Sequence, residues 1–375
     1  MSTRWEALMS VCSETSSPCR SQSWPALARE LDRLYGGRYA SLAHFRLYGR
    51  LADACVYEAR SGGVATSVLL FRREKRRVLV LNEGMRLEQD EAARFADHIF
   101  AARRGVDVIA FRAVETAPRL SRPFQRFHSA HDAVLTLPDD VPAYFGGLGA
   151  STRKNLSNYY NRLTREQPSF QFTIQEQADV APRSVREIIR LNRLRMTSLD
   201  KVPAIDRAEE ERIVDYVRGS GFVGIATIDG RLCAGVIMYR QGRNFSMRIL
   251  AHAAEYQQYH IGFLCAYLSI CACIRHGGGG GRFFFGWGDN PYKYRLGGQP
   301  RQLHDLLIYR SRLHQVLHAR LALTAMLRGY VAQARHAMAE GAKRDDGAAM
   351  RLAARMLGRL RKWRAVALAR RKNRA

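Results

Sequence analysis

The sequence predicts an α/β chain of the α+β type. It has two tandem halves, each a mixed, mostly antiparallel sheet flanked by helices, followed by a basic helical C-terminal extension. Three observations point there. An order of turn-broken apolar runs, then a helix, then one more apolar run occurs twice along the chain. A length of 375 residues at 47% hydrophobic content can bury a sizeable core in more than one domain. From Leu313 onward the chain reads as helical and basic, ending in LGRLRKWRAVALARRKNRA.

The elements follow in order. Ser13 to Pro25 has the Ser/Pro content of a flexible lead-in, so residues 1–25 are set apart and the first apolar period begins in ALARELDRLY. The run ACVYEARSGGVATSVLLFRREKRRVLVLN, broken at SGG and REKR, reads as a meander of three strands. In EQDEAARFADHIFAARRG, Ala92, Phe95, Ile99 and Ala102 recur at helical spacing and Gly105 is a stop, after which VDVIAFR is a strand. These elements make a first domain over 26–140. The second spans 141–312 and opens on the helix STRKNLSNYYNRLTRE, which Ser151 or Thr152 can cap. Two more helices lie near Arg183 to Leu199 and Asp206 to Arg218. Strands hinged at Asp229-Gly230 and Gln241-Gly242, the helix IGFLCAYLSICACIRHG and the strand RFFFGWG complete it.

Composition excludes some classes. Ile261 to Ile274, the longest apolar stretch, is short for a bilayer span, and MSTRWEALMS lacks the layout of a secretory leader, so the expectation is a cytoplasmic protein. Seven cysteines, an odd number, with four in predicted strand or helix, imply no disulfide framework. The formal charge of +26 would attract polyanions whatever the fold. Seven of the 60 basic residues are lysine, an arginine excess that a GC-rich genome produces, so nucleic acid is not an expected partner on this ground.

Several motif imitations fail on context. HGGGGG (His276 to Gly281) follows a helix C-terminus, where the dipole is negative, and no G-x-S-x-G supplies a nucleophile. GGLGASTRKN lacks the ending of a phosphate loop. Cys271, Cys273 and His276 do not share one helical face, so no metal is expected.

Two stretches carry chemistry. In AEYQQYHIGFLCAYL the amides of Gln258, Tyr259, His260, Ile261 and Gly262 lie at the positive end of a helix, where a pyrophosphate can sit. Taken alone, the loop also reads as an ordinary strand-to-helix turn. In FFFGWGDNPYKYRLGG a buried strand leaves the sheet through Gly288, Asp289, Asn290 and Pro291 and sets Tyr292, Lys293 and Arg295 on an exposed turn beside the sheet end. A lysine there can neutralise a phosphate or carboxylate, and a tyrosine hydroxyl can protonate a leaving thiolate.

The order Tyr-x-x-Tyr-x-Ile-Gly (from Tyr256), an apolar helix, then F-x-F-G-x-G-D-x-x-Y-K-x-x-L-G (from Phe283) resembles the CelD-like acetyltransferases of polysaccharide biosynthesis. These belong to the GNAT superfamily and are related to the FemABX peptidyltransferases, which are built from tandem GNAT domains. LTLPDD, LGASTRKNLSNYYNRLTRE and FQFTI resemble the segment that opens the second domain there, and the likeness runs from about Ala130 to Arg310.

The resemblance implies an acyltransferase that uses acetyl-CoA or another acyl-CoA, with Gln258 to Gly262 on the pyrophosphate. It implies Lys293 at the acceptor or its phosphate, and Asp289, Arg295 and Arg153 around the substrate. The implied acceptor is a small molecule or glycan precursor. Two departures stand out: the superfamily's glycine-rich loop keeps only Gly262, with Leu264 where a small residue is usual, and Phe284 stands where relatives often carry Asp. Candidate bases are His252 and Glu255, of which His252 titrates nearer neutrality. Tyr292 is the candidate acid and Tyr259 its reserve. Two alternatives are an aminoacyl-tRNA-dependent peptidyltransferase of FemABX type and a non-catalytic adaptor docking on a membrane through the basic C-terminus, where Arg351, Arg355, Arg359 and Lys362 form a stripe.

Overall fold

The computed structural model describes residues 24–117, 119–199, 202–327 and 329. Helices α1 (Trp24–Leu34) and α2 (Leu42–Leu47) precede the meander β1 (Cys55–Ser61), β2 (Val64–Glu74) and β3 (Arg77–Val80). Helix α3 (Gln89–Ala102) then crosses to β4 (Val108–Val114), and β5 (Phe124–Thr136) follows. Next come α4 (Val141–Gly147), α5 (Ala150–Glu166), β6 (Gln171–Glu176), α6 (Pro182–Ser198) and α7 (Arg207–Ser220). A second meander, β7 (Gly221–Ile228), β8 (Arg231–Gln241) and β9 (Asn244–His252), leads through α8 (Ile261–Cys273) to β10 (Arg282–Phe284). Helix α9 (Pro291–Arg295), strand β11 (Gln299–Tyr309) and α10 (Arg312–Leu317) end the named elements.

The strands form one 11-stranded sheet in the order β1-β2-β3-β4-β11-β5-β10-β9-β8-β7-β6. Pairing is antiparallel except at β3 with β4 and β9 with β10, the two places where a helix carries the chain across. Each half therefore repeats one unit: three antiparallel strands, a crossover helix and a parallel fourth strand. The strand that follows each unit is exchanged. β5 pairs with β10 of the second half, while β11 pairs with β4 of the first, and β5 and β11 pair with each other at the centre. A mixed, mostly antiparallel sheet flanked by helices is the class expected from the sequence, but neither exchanged strand was anticipated as a strand.

Helix α3 buries Phe95 among Phe71 and Phe111 of β2 and β4, in edge-to-face contacts. In the second half α8 packs on one face of the sheet against Phe222, Phe245 and Phe283, while Ile188 of α6 and Ile213 of α7 cover the other with Val223 and Ile237. Enclosure by sheet and helices explains why α8 is apolar around nearly its whole circumference. The caps differ from expectation at α5, where Gly149 occupies the N-cap position in place of Ser151 or Thr152. Asp206 caps α7 through the Glu209 amide. The described cysteines 55, 233, 265, 271 and 273 are all free, and Cys12 and Cys19 lie outside the described residues.

Candidate active site

Strands β9 and β10 run parallel but pair at only two positions, Phe245 with Phe283 and Ser246 with Phe284. Beyond them the strands part. The second strand turns towards β5, where Phe285 N donates to Ala133 O at 3.0 Å and Gly288 N to His131 O at 2.8 Å. Gly286 (φ 79°) and Gly288 (φ 99°) adopt left-handed conformations that make this departure cheap. Meanwhile β9 continues from Met247 to His252 beside β8. The wedge between them is a cavity of about 660 Å³.

The wedge is cationic. Arg38, Arg195, Arg248 and Lys293 line it together with His252 and His260, and no acidic side chain does so among the described residues. Arg248 is held by Glu209 at 2.8 Å, and its buried Nε has no hydrogen-bond partner among the described residues. An orphaned guanidinium N–H in a cavity walled by cationic side chains fits an anionic ligand. The first half contributes Arg38 and Tyr39: the Arg38 guanidinium lies 4.2 Å over the Tyr39 ring, and Tyr39 stacks on Trp287 with centroids 4.7 Å apart. Both halves therefore wall one site.

The N-terminus of α8 reaches this cavity at Gly262, where the amides of His260, Phe263 and Leu264 are bonded within the chain and those of Ile261 and Gly262 start the helix. A β-carbon at Gly262 would lie 2.6 Å from His252 Nδ1, so only glycine lets the helix end and the imidazole pack so closely. Burial first, then the Arg195 charge, holds the His252 pKa below its usual value, so the ring is neutral near pH 7 and able to accept a proton. Tyr292 also lines the wedge. Its hydroxyl donates to the Met247 thioether at 3.7 Å, a weak acceptor, and burial pushes its pKa up to about 12. It keeps its proton throughout the neutral range.

Lys293 differs from expectation in exposure and direction. It is 2% exposed, and its ammonium donates to the carbonyls of Gly286, Trp287 (3.4 Å) and Gly288 (2.7 Å). All three ammonium protons therefore point back into the loop that leaves β10. Burial lowers its pKa to about 8, against the opposing pull of Asp132 and Asp289. The expected exposed turn is helix α9, which folds Lys293 inward.

The other expected site residues divide. His260 lines the wedge in a left-handed conformation (φ 51°) and stacks on Tyr159 at 4.0 Å. Ile261 is a core residue, and Tyr259 is buried outside the wedge under Arg162. Gln258 is exposed away from the wedge, whose lining includes Gln257 instead. Arg295 turns over the Phe263 ring at 4.6 Å. Arg153 donates to Gly146 O at 2.9 Å and to Leu148 O, which ties α5 to the turn before it and not to the wedge. Asp289 acts on the site through its charge near Lys293 and is not among the wedge's lining residues. Arg38, Tyr39, Arg195 and Arg248 were not expected. An arginine inside the apolar alternation of NFSMRILAH was the one signal that could have found Arg248.

Residues 150–294 match the family described as an acetyltransferase (GNAT) domain. A search among curated proteins finds no match. Among solved structures the chain resembles FemX at 10% identity, covering 78% of this chain and 96% of that one with a TM-score of 0.55. It also resembles L-PGS from Bacillus licheniformis (16% identity, 82% and 97% covered, TM-score 0.48). A third is the C-terminal domain of an Agrobacterium fabrum protein described as a lysylphosphatidylglycerol synthetase (14%, 80% and 95%, TM-score 0.49).

Residues 150–294 thus carry a GNAT-type transferase domain, the chain shares its fold with FemX, and the narrower CelD-like assignment is not supported. The cytoplasmic expectation is corrected. The apolar stretch runs past Ile274 to Gly278 through a kink at His276 and Gly277, and the 18 residues from Ile261 are by length and composition enough to cross a membrane. Here 67% of that stretch is buried in the fold, as in a core helix.

Proposed function

Starting from a GNAT-fold transferase, we propose that the chain transfers an acyl or aminoacyl group from an activated donor to an acceptor that carries an anionic group, in the assembly of a cell-envelope component. The observation that carries this reading is the wedge between β9 and β10, lined by four cationic side chains and, among the described residues, no acid, with a helix N-terminus at its base. The amides of Ile261 and Gly262 would receive phosphate oxygens of the donor, and Arg38 and Arg248 the anionic group of the acceptor. The donor supplies an acyl carbon activated as a thioester or ester. Neutral His252 takes the proton from the attacking amine or hydroxyl, and Tyr292 returns one to the leaving sulfur or oxygen. Lys293 acts as a positioning residue that fixes the carbonyls of the loop forming the far wall.

Two donors fit this chemistry. The likeness to FemX spans both halves, and the first half walls the site through Arg38 and Tyr39, which supports an aminoacyl-tRNA donor of FemABX type. The family match confined to 150–294 supports acyl-CoA. Thermal unfolding with each donor separates them. A ligand at a hundred times its Kd stabilises by about 2.7 kcal/mol, which shifts Tm by several degrees. A shift with a stable aminoacyl-minihelix analogue, lost steeply with salt, supports the first, and a shift with acetyl-CoA or CoA the second. No shift with either would overturn the proposal.

A further inference from the structure

Beyond the catalytic site, the residues after β11 form an exposed aliphatic face on a tethered base. Asp107, 2% exposed, receives His318 Nε2 at 3.0 Å and faces His314 Nε2 at 3.4 Å, and Arg76 binds the same carboxylate. Leu321 and Ala322 pack on the first core. With the histidines and these residues turned inward, the opposite side of α10 and of the helical turns over 319–327 faces outward. It presents Leu313, Val316, Leu317, Leu323, Met326 and Leu327, which are 36% to 72% exposed. Arg312 and Arg320 are exposed in the same segment.

The structure assigns this face to the surface of an anionic lipid bilayer. Large contiguous aliphatic exposure marks an interaction surface, and aliphatic side chains flanked by arginine match the acyl and headgroup layers of such a membrane. Charge argues against the other occupants. No acidic residue occurs between Leu306 and Ala339, so a second copy docking here would oppose arginine to arginine in a chain of formal charge +26. Residues 328–375 carry fourteen Lys and Arg against three acidic residues, and would bring like charge to the same face. The same basic composition adds attraction to anionic lipid. Both β10 and β11 run antiparallel to β5, so the aliphatic face leaves the sheet in the strand direction in which the wedge opens. This placement does not depend on which donor the site uses.

The test uses the full chain and vesicles of phosphatidylcholine with or without phosphatidylglycerol. The chain is expected to co-sediment with the anionic vesicles, and the triple substitution Leu313→Ser, Val316→Ser, Leu317→Ser to lower partitioning by about ten-fold or more at unchanged Tm. In a separate Leu317→Trp variant, indole emission is expected to shift to the blue on addition of anionic vesicles. Binding of the triple variant equal to the parent's would overturn the proposal, because charge alone would then account for attachment. So would an unshifted Trp emission, or a dimer in analytical ultracentrifugation that the triple substitution dissolves.

Discussion

Gly262 at the start of α8 and His252 at the end of β9 are in such close contact that a β-carbon on the glycine would sit 2.6 Å from the imidazole Nδ1. Gly262→Ala must therefore displace the ring or the helix end. The expected result is a fall in kcat of roughly 10- to 100-fold, as for a misplaced reacting group, with a stability loss of about 1–3 kcal/mol. Steady-state kinetics beside urea unfolding check it. An alanine variant of full activity would remove His252 and the helix end from the site.

The pH profile follows from His252. Its pKa is held below the ordinary 6.5 by burial and by Arg195, so the acid limb of kcat/KM should lie below pH 6.5 and disappear in His252→Ala. As pH drops through the folded-state value the imidazole gains a proton and can no longer accept one. A limb unchanged in that variant would place the base elsewhere.

His44 gives a stability test. Burial first, then the charges of Arg38, Arg50 and Arg248, lowers its pKa to about 3. The unfolded chain takes up a proton near pH 6.5 that the folded chain refuses until about pH 3, so stability falls as pH drops through that window. The slope is about 1.4 kcal/mol per pH unit from this residue. His44→Gln should flatten it, as read from urea midpoints between pH 6 and about 4. Because His44 also packs edge-on against Tyr39, the variant should raise KM as well.

Lys293→Met leaves the carbonyls of Gly286, Trp287 and Gly288 without their donor. A stability loss of about 1–3 kcal/mol is expected with a drop in kcat, and Lys293→Arg should not restore either, since a planar fork does not reproduce three converging ammonium bonds. Full stability with lost activity would instead give Lys293 a direct contact with the acceptor.

Arg301 of β11 donates to Asp132 of β5 at 2.8 Å from the directly paired position, in the centre of the sheet. Asp132→Ala leaves Arg301 only the longer pair with Glu115 at 3.5 Å and should cost about 1–3 kcal/mol. Because the halves exchange these strands, tryptophan fluorescence and far-UV circular dichroism should report one coincident, lowered transition. Two separated transitions would show that the halves unfold independently.

The same pair shows where sequence reading stopped. The two meanders and their crossover helices were legible because their apolar runs are long and three of their four turns carry Gly. The exchanged strands, FQRFHSAHDAVLT and QPRQLHDLLIY, were not, since charged residues that a partner strand neutralises do not alternate as a half-buried strand should. The site divides likewise. Gly262 and the Tyr292-Lys293 pair stood in a recognisable pattern, but nothing in it says that Lys293 folds back on its own loop. Arg38 and Tyr39 come from a segment more than 200 residues away from His252, a relationship that only the exchanged sheet creates.

The central claim is that the parted ends of β9 and β10 receive the activated donor. Hydrogen–deuterium exchange of the full chain, with acetyl-CoA and separately with an aminoacyl-minihelix analogue, tests it most directly. One of the two should slow exchange over Met247 to Phe263 and Phe285 to Lys293. Protection confined to other segments, or no protection by either ligand at saturating concentration, would contradict it.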